Sequence, residues 1–281
     1  MYKFFTSLRF YKLFYNSIIY VFFFGSFLTV NAQKPLNKLS KSHEVSSEMK
    51  SLLEFYNKQI YFTQNEGQFP EEIKFKAEFP LGQAFATDKG MVMGSFDPKD
   101  MKESFEQGMR EEEAHHNHKS FKEDRVKIKG HRWMLNFLNS SPNIVLESKS
   151  MHGDVFNYYN ASSKRNGIQG ASNYQELWYN NVYDNVDLRY YPSKEGSLEY
   201  DLICKPGFNK DNIAIKFDGI SNLRIKSNGS LVLATSIGDM ELPSPIAYQK
   251  IKGKKVSVPA VYRLEGGTLK FEIGEFQSAT F

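Results

Sequence analysis

The stretch Asn181–Gly219, NVYDNVDLRYYPSKEGSLEYDLICKPGFNKDNIAIKFDG, decides the fold, because it holds three runs in which apolar residues fall on alternate positions. Val186, Leu188 and Tyr190 alternate with Asp187, Arg189 and Tyr191. Leu198, Tyr200 and Leu202 alternate with Glu199, Asp201 and Ile203, and Ile213, Ile215 and Phe217 with Ala214, Lys216 and Asp218. A period of two is the mark of half-buried strands. If the first two runs form a hairpin closed by Pro192–Ser197, placing Tyr190 opposite Leu198 keeps all six apolar side chains on one face. A slip of one residue would turn charge toward the core. That register sets Arg189 opposite Glu199 and Asp187 opposite Asp201 on a polar face, the densest charge constellation of the strands. Asp187, Arg189, Glu199 and Asp201 are therefore the candidate site residues, with the two aspartates expected to be solvated.

Outward from this centre the same alternation recurs. Ile73, Phe75, Ala77 and Phe79 form one run; Gln83–Thr87 and Met91–Phe96 flank Asp88-Lys89-Gly90 as a hairpin with a glycine able to take positive φ. Val126–Lys129, His131–Leu138, Ile144–Glu147, Val155–Tyr159 and Tyr174–Tyr179 read as further strands, with Asn160–Asn173 as a polar loop. Leu223–Lys226 and Ser230–Thr235 flank an Asn228-Gly229 turn; Pro245–Lys250, Lys255–Leu264 and Thr268–Ile273 close the series. Strands every 8–12 residues with turns between them predict an all-β chain, an antiparallel β-sandwich in one large or two packed subdomains.

Residues 1–32 read as a cleaved signal helix: a basic start at Lys3, Arg9 and Lys12, an apolar run over Ile18–Val30, then Val30-Asn31-Ala32. The run is too short for a spanning helix, which needs about 20 residues. Its removal takes away three basic side chains and no acidic one, lowering the formal net charge from +4 to +1. The basic balance is thus a property of the targeting segment and gives no support to nucleic-acid binding. The division that follows is signal peptide 1–32, flexible lead 33–60, a first β region 61–150 with a polar insertion at 97–125, and a second β region 151–281. Ser51–Tyr61 carries apolar residues that fit one short helix, in a pattern short enough for a strand as well.

The insertion Asp97–Arg125 holds nine acidic and six basic residues together with His115, His116 and His118. The charge run reads as a solvated, weakly ordered loop. Its histidines are the only local concentration of metal ligands: His116 and His118 would share one side of an extended chain, but their spacing fits no zinc pattern. The single cysteine, Cys204, ends the Leu198, Tyr200, Leu202 face and is expected to be buried as a small apolar residue. No phosphate-binding glycine loop, HExxH or Gly-x-Ser-x-Gly occurs, and no cofactor is expected.

Five segments in order, Phe62-Thr-Gln-Asn-Glu-Gly-Gln68, Asn157-Tyr-Tyr159, Asn181-Val-Tyr-Asp-Asn-Val-Asp-Leu-Arg-Tyr-Tyr191, Leu198-Glu-Tyr-Asp201 with Lys205-Pro-Gly207, and Pro245-Ile-Ala-Tyr-Gln249, carry a resemblance. They resemble the N-terminal β-rich domain of unknown function that precedes SBBP-type β-propeller repeats in large secreted, Bacteroidetes-like bacterial proteins. The likeness runs over roughly Tyr61–Phe276. The chain departs from the pattern in its long 97–125 insertion and in Phe-Asn-Lys-Asp after Gly207. The resemblance implies a noncatalytic secreted or cell-surface module, in adhesion or as a scaffold, and brings no catalytic residues with it. Its partners would be an extracellular polymer or a surface protein, with no nucleic acid and no stable membrane span after signal cleavage. The alternative is a carbohydrate-binding or carbohydrate-hydrolysing protein, in which Asp187, Glu199 and Asp201 supply carboxylates and exposed aromatics such as Trp178 and Tyr179 stack on sugar, although one of that pair belongs to the core.

Overall fold

Alternation turns into strands almost throughout. The computed structural model describes residues 60–79, 81–159, 167–193, 197–251 and 254–276. The signal helix of residues 1–32, the flexible lead up to residue 59 and most of the Ser51–Tyr61 helix lie outside these. Seventeen strands and one α-helix are found among the described residues. The strands are β1 (Phe62–Gln64), β2 (Phe75–Phe79), β3 (Gly82–Thr87), β4 (Gly90–Phe96), β5 (Gly130–Phe137), β6 (Val145–Tyr158), β7 (Ile168–Tyr183), β8 (Val186–Pro192) and β9 (Leu198–Cys204). After these come β10 (Ile215–Asp218), β11 (Asn222–Ile225), β12 (Leu231–Thr235), β13 (Gly238–Leu242), β14 (Ala247–Ile251), β15 (Lys254–Val258), β16 (Ala260–Glu265) and β17 (Thr268–Ile273). The protein is all-β in class.

Twelve strands form one antiparallel sheet, in the order β16-β17-β10-β5-β4-β3-β2-β1-β7-β8-β9, with β6 added on β7. β11-β12-β13 and β14-β15 make two small sheets of their own. The key strand is β7. β6 runs along one of its edges from Tyr158↔Ile168 to Val145↔Asn180. Both β1 and β8 must then share its other edge, β1 at Phe62↔Tyr174 and β8 from Leu177↔Tyr190 onward. β7 thus passes from one layer of the structure into another, as corner strands do. The layers meet through rings: Tyr179 of β7 lies 5.2 Å from Phe137 of β5, edge to face, although five ladder steps separate the two strands in the sheet. The Tyr179 hydroxyl donates to the Gly90 carbonyl, and that of Tyr183 donates to the Ala214 carbonyl. Burial pushes the Tyr183 phenol up to about 12, so both remain neutral donors inside the core.

Val186, Leu188, Tyr190, Leu198, Tyr200, Ile215 and Phe217 are all buried, as are Trp133, Leu135 and Phe137. Four expectations change. The β8–β9 register is Tyr190↔Tyr200 and Arg189↔Asp201, two residues from the one that periodicity suggests. A two-residue shift keeps every side chain on its face, so apolar alternation alone cannot choose between them. Cys204 is exposed rather than buried. It keeps the parity of Leu198 and Tyr200, but Leu202 is only half-buried and the core has run out at the strand's end. The stretch Asn160–Asn173 is not a loop to its end, since β7 begins at Ile168; a register shift between Phe156 and Tyr158 breaks the simple alternation there. Val126–Lys129 forms no strand.

The largest correction is at 97–125, which contains helix α1 (Pro98–His116). Asp97 caps it, its carboxylate accepting from the Lys99 and Asp100 amides at 2.9 and 3.3 Å, and Pro98 occupies a first-turn position where no N–H is required. The returning chain is strapped along the helix by side chains. The Gln107 amide donates to the Asp124 carbonyl and accepts from the Val126 N–H. Two-pronged ion pairs join Arg110 to Glu123 and Arg125 to Glu111. Asp100 accepts from the Lys129 N–H at 3.0 Å. Because Phe96 pairs with Gly130, the helix and its strap form an arm inserted between adjacent strands β4 and β5.

Candidate functional site

The outer face of β6–β9 carries the site. Glu147 pairs with Trp178 across β6–β7, Trp178 with Arg189 across β7–β8, and Arg189 with Asp201 across β8–β9. Two residues along, Lys149 pairs with Glu176 and Tyr191 with Glu199. These adjoining rows mix charged side chains with the aromatic rings of Trp178 and Tyr191.

Diagonal contacts tie the rows together. The Arg189 guanidinium donates to Glu176 Oε1 at 2.7 Å and to Asp201 Oδ2 at 3.4 Å. It also lies 4.3 Å from the centre of the Tyr191 ring. The Tyr191 hydroxyl donates to Asp201 Oδ1 at 3.2 Å, and the Trp178 indole N–H to Glu176 Oε2 at 2.8 Å. Lys149 sits 4.3 Å from the Trp178 ring centre. Burial alone would favour the neutral form of Glu176, but hydrogen bonds from Arg189 and Trp178, with the charges of Arg189 and Lys149, outweigh it and hold the carboxyl below its ordinary range. Burial, then the charges of Asp201 and Glu199, push the Tyr191 phenol up, so it stays a proton donor between two carboxylates.

Beside these rows lies a shallow open cleft of about 300 Å³, and the corner in β7 creates it. β1 pairs with β7 at residues 173–174 and β8 from residue 177, so neither strand registers with Gln175 or Glu176. Here the residues leading into β1, Ile60 and Tyr61, meet the end of β8 at Tyr191 and Pro192, and all four line the cleft with Gln175, Glu176 and Arg189. The Tyr61 ring is fixed by His152 of β6, with ring centres 4.4 Å apart and its hydroxyl 3.3 Å from His152 Nε2.

Of the residues singled out from sequence, the structure brings Arg189, Glu199 and Asp201 together around Tyr191. Asp187 stands apart. It is buried rather than solvated, paired to Lys205 Nζ at 2.6 Å and accepting the Asn181 N–H at 2.8 Å, so it anchors the left-handed residue Asn181, whose φ is 57°. Glu176, Tyr61 and Tyr191 complete the site although no local pattern singles them out: Glu176 and Tyr191 sit on polar parity in their strands, but only the long-range pairing of β1 with β7 brings Tyr61 beside them. The polar parity of Glu176, Trp178 and Asn180 was the signal present. Trp178 is half-buried and Tyr179 fully buried, which places one of the two in the core.

His115 and His116 end α1 and His118 follows at φ 52°, so the chain there is a helix end rather than extended, and all three side chains are exposed. Among the described residues no group of three or more His, Cys, Asp or Glu side chains is arranged to hold a metal ion, and no helix is long and apolar enough to cross a membrane.

The segments behind the sequence resemblance have structural duties. Asn65 is a hub: its amide N–H₂ donates to the Phe69, Pro70 and Ile73 carbonyls, while its oxygen accepts from the Gly67 and Phe69 amides. Gln68 returns to the Gln64 carbonyl at 2.6 Å. Residues 62–280 match the profile of DUF7948, a domain of unknown function. No curated protein and no solved structure shows a significant match.

Proposed function

Starting from a chain that belongs to the DUF7948 family, for which no function is defined, we propose that it is a noncatalytic secreted or cell-surface β module. In this reading it is exported by its N-terminal segment and serves adhesion or scaffolding as the front domain of a larger SBBP-repeat type protein. The observation that carries the noncatalytic reading is the state of the cleft carboxylate. A glycosidase needs one carboxyl kept protonated near neutral pH as the acid, and a second free to act as base or nucleophile. Glu176 is instead held ionised by Arg189 and Trp178, and the same guanidinium holds Asp201. Such a set is tied together and fixed, suited to presenting hydrogen-bonding groups rather than moving protons.

The test is a turnover screen of the purified protein on assorted polysaccharides, with Glu176→Gln, Glu199→Gln and Asp201→Asn alongside. No reducing ends should appear with any of them. Hydrolysis by the parent that disappears in one of these variants would overturn the reading in favour of a hydrolase.

A further inference from the structure

We propose that the cleft at the β7 corner is a binding site for a neutral saccharide chain. The inference rests on the noncatalytic module reading and names what such a module would hold. Charge comes first. The cleft contains one carboxylate and one guanidinium, Glu176 and Arg189, already joined at 2.7 Å. The two lining charges cancel each other, and the Asp201 and Glu199 carboxylates beside Arg189 and Tyr191 disfavour an anion. What remains are planar hydrogen-bonding groups held in place. The Arg189 fork is fixed by two carboxylates, and Glu176 by Arg189 and the Trp178 indole; the exposed residue Gln175 also lines the cleft. Fixed planar donors and acceptors suit adjacent hydroxyls, since their ordering cost is met before the ligand arrives.

Apolar surface comes second. Tyr61, Tyr191 and Pro192 line the cleft together with the polar residues. A pyranose has the same division, with C–H bonds on its faces and hydroxyls around its rim, and aromatic side chains with a polar tip serve such amphipathic surfaces. Tyr61 is held by His152 and Tyr191 by Arg189, so both rings are preset.

Topology decides between a saccharide and a peptide. An extended peptide binds by adding a strand to a sheet edge. Here β7 carries β6 on one side and β1 and β8 on the other, and the unregistered gap is only Gln175 and Glu176, too short to template a strand. The open form of the cleft admits a chain lying across it, and its volume of about 300 Å³ is at the small end of ligand sites, enough for a short stretch of polymer.

The test is calorimetric titration of the purified protein with hexasaccharides of cellulose, xylan, mannan, β-1,3-glucan and chitin, with alginate and heparin oligosaccharides as charged comparators. Trp178 fluorescence serves as a second readout, since its indole is bonded to Glu176 while the other tryptophan, Trp133, is buried. At least one neutral hexasaccharide should bind. Gln175→Ala, at an exposed position where folding is not at stake, and Tyr61→Ala should each weaken it about tenfold or more. Tyr248→Ala, an exposed ring on β14, should change nothing. Absence of binding to every neutral probe, binding confined to the charged comparators, or binding that survives both cleft substitutions would overturn the site and leave the noncatalytic reading untouched. Binding followed by cleavage would overturn the noncatalytic reading and leave the site standing.

Discussion

Asp187 and Arg189 are two positions apart on β8 and share its polar face, yet they do different work. Arg189 sits mid-strand between aromatic rings and two carboxylates. Asp187 lies where the chain has just turned through Asn181 and Asn185, both at positive φ, and its carboxylate is buried on Lys205 and a backbone amide. Sequence parity put the two on one face but could not show that Lys205, beyond the end of β9, folds back to cover one of them. Asp187→Asn should therefore cost about 1–2 kcal/mol, as loss of a charge-assisted bond does at a buried site. The urea midpoint of the variant measures this. A change within about 0.5 kcal/mol, as for ordinary surface substitutions, would mean that Asp187 is a solvated group after all. Asn65 shows the opposite case. Asn-Glu-Gly-Gln reads as turn chemistry in the sequence, and five hydrogen bonds to one side chain are the physical reason.

Among elements, strands with uninterrupted alternation were legible almost to the residue: β3, β4, β12 and β17 agree with their apolar runs, and the Asn228-Gly229 turn joins β11 to β12 as expected. The helix was not. Its charged residues mask an amphipathic stripe, with Asp100 and Gln107 as its buried residues, so the period that betrays most helices is missing. The signals that did exist were Asp97-Pro98 at its start and a composition of Glu, Lys, Met, Gln and Arg, all good helix formers. An arm held by ion pairs and polar side chains should open more easily than the sheet that carries it. Amide exchange should show α1 losing protection in about 1 M salt, where screening is strongest, while β7 and β8 keep theirs. Asp97→Ala should lower the arm's opening free energy by a further ~1 kcal/mol. Equal salt response in arm and sheet would show that the arm is held by the core instead.

For the whole molecule, class was legible and closure was not. Period-two patterning identifies strands and their inward faces, but nothing local tells β7 to serve two layers. That depends on β1 and β8 competing for one edge, a contact between residues more than a hundred positions apart. The same corner makes the cleft, which is why Tyr61 and Glu176 escaped a reading made strand by strand. The whole account rests on that cleft being held in a fixed, ionised state. The sign of its pH dependence follows from Glu176, whose folded carboxyl titrates below its ordinary value of 4.5. Its contribution to stability is complete above the unfolded value and is lost as pH falls through the folded one, so the tied cleft should persist at neutral pH and loosen only in acid. The most direct measurement is a ¹³C NMR titration of the Glu176 carboxyl in the intact protein. We predict a midpoint below 4.5, shifting upward when Arg189 is replaced by Met. A midpoint raised above 4.5 toward neutrality in the parent would reveal a carboxyl poised as a general acid and contradict the noncatalytic account.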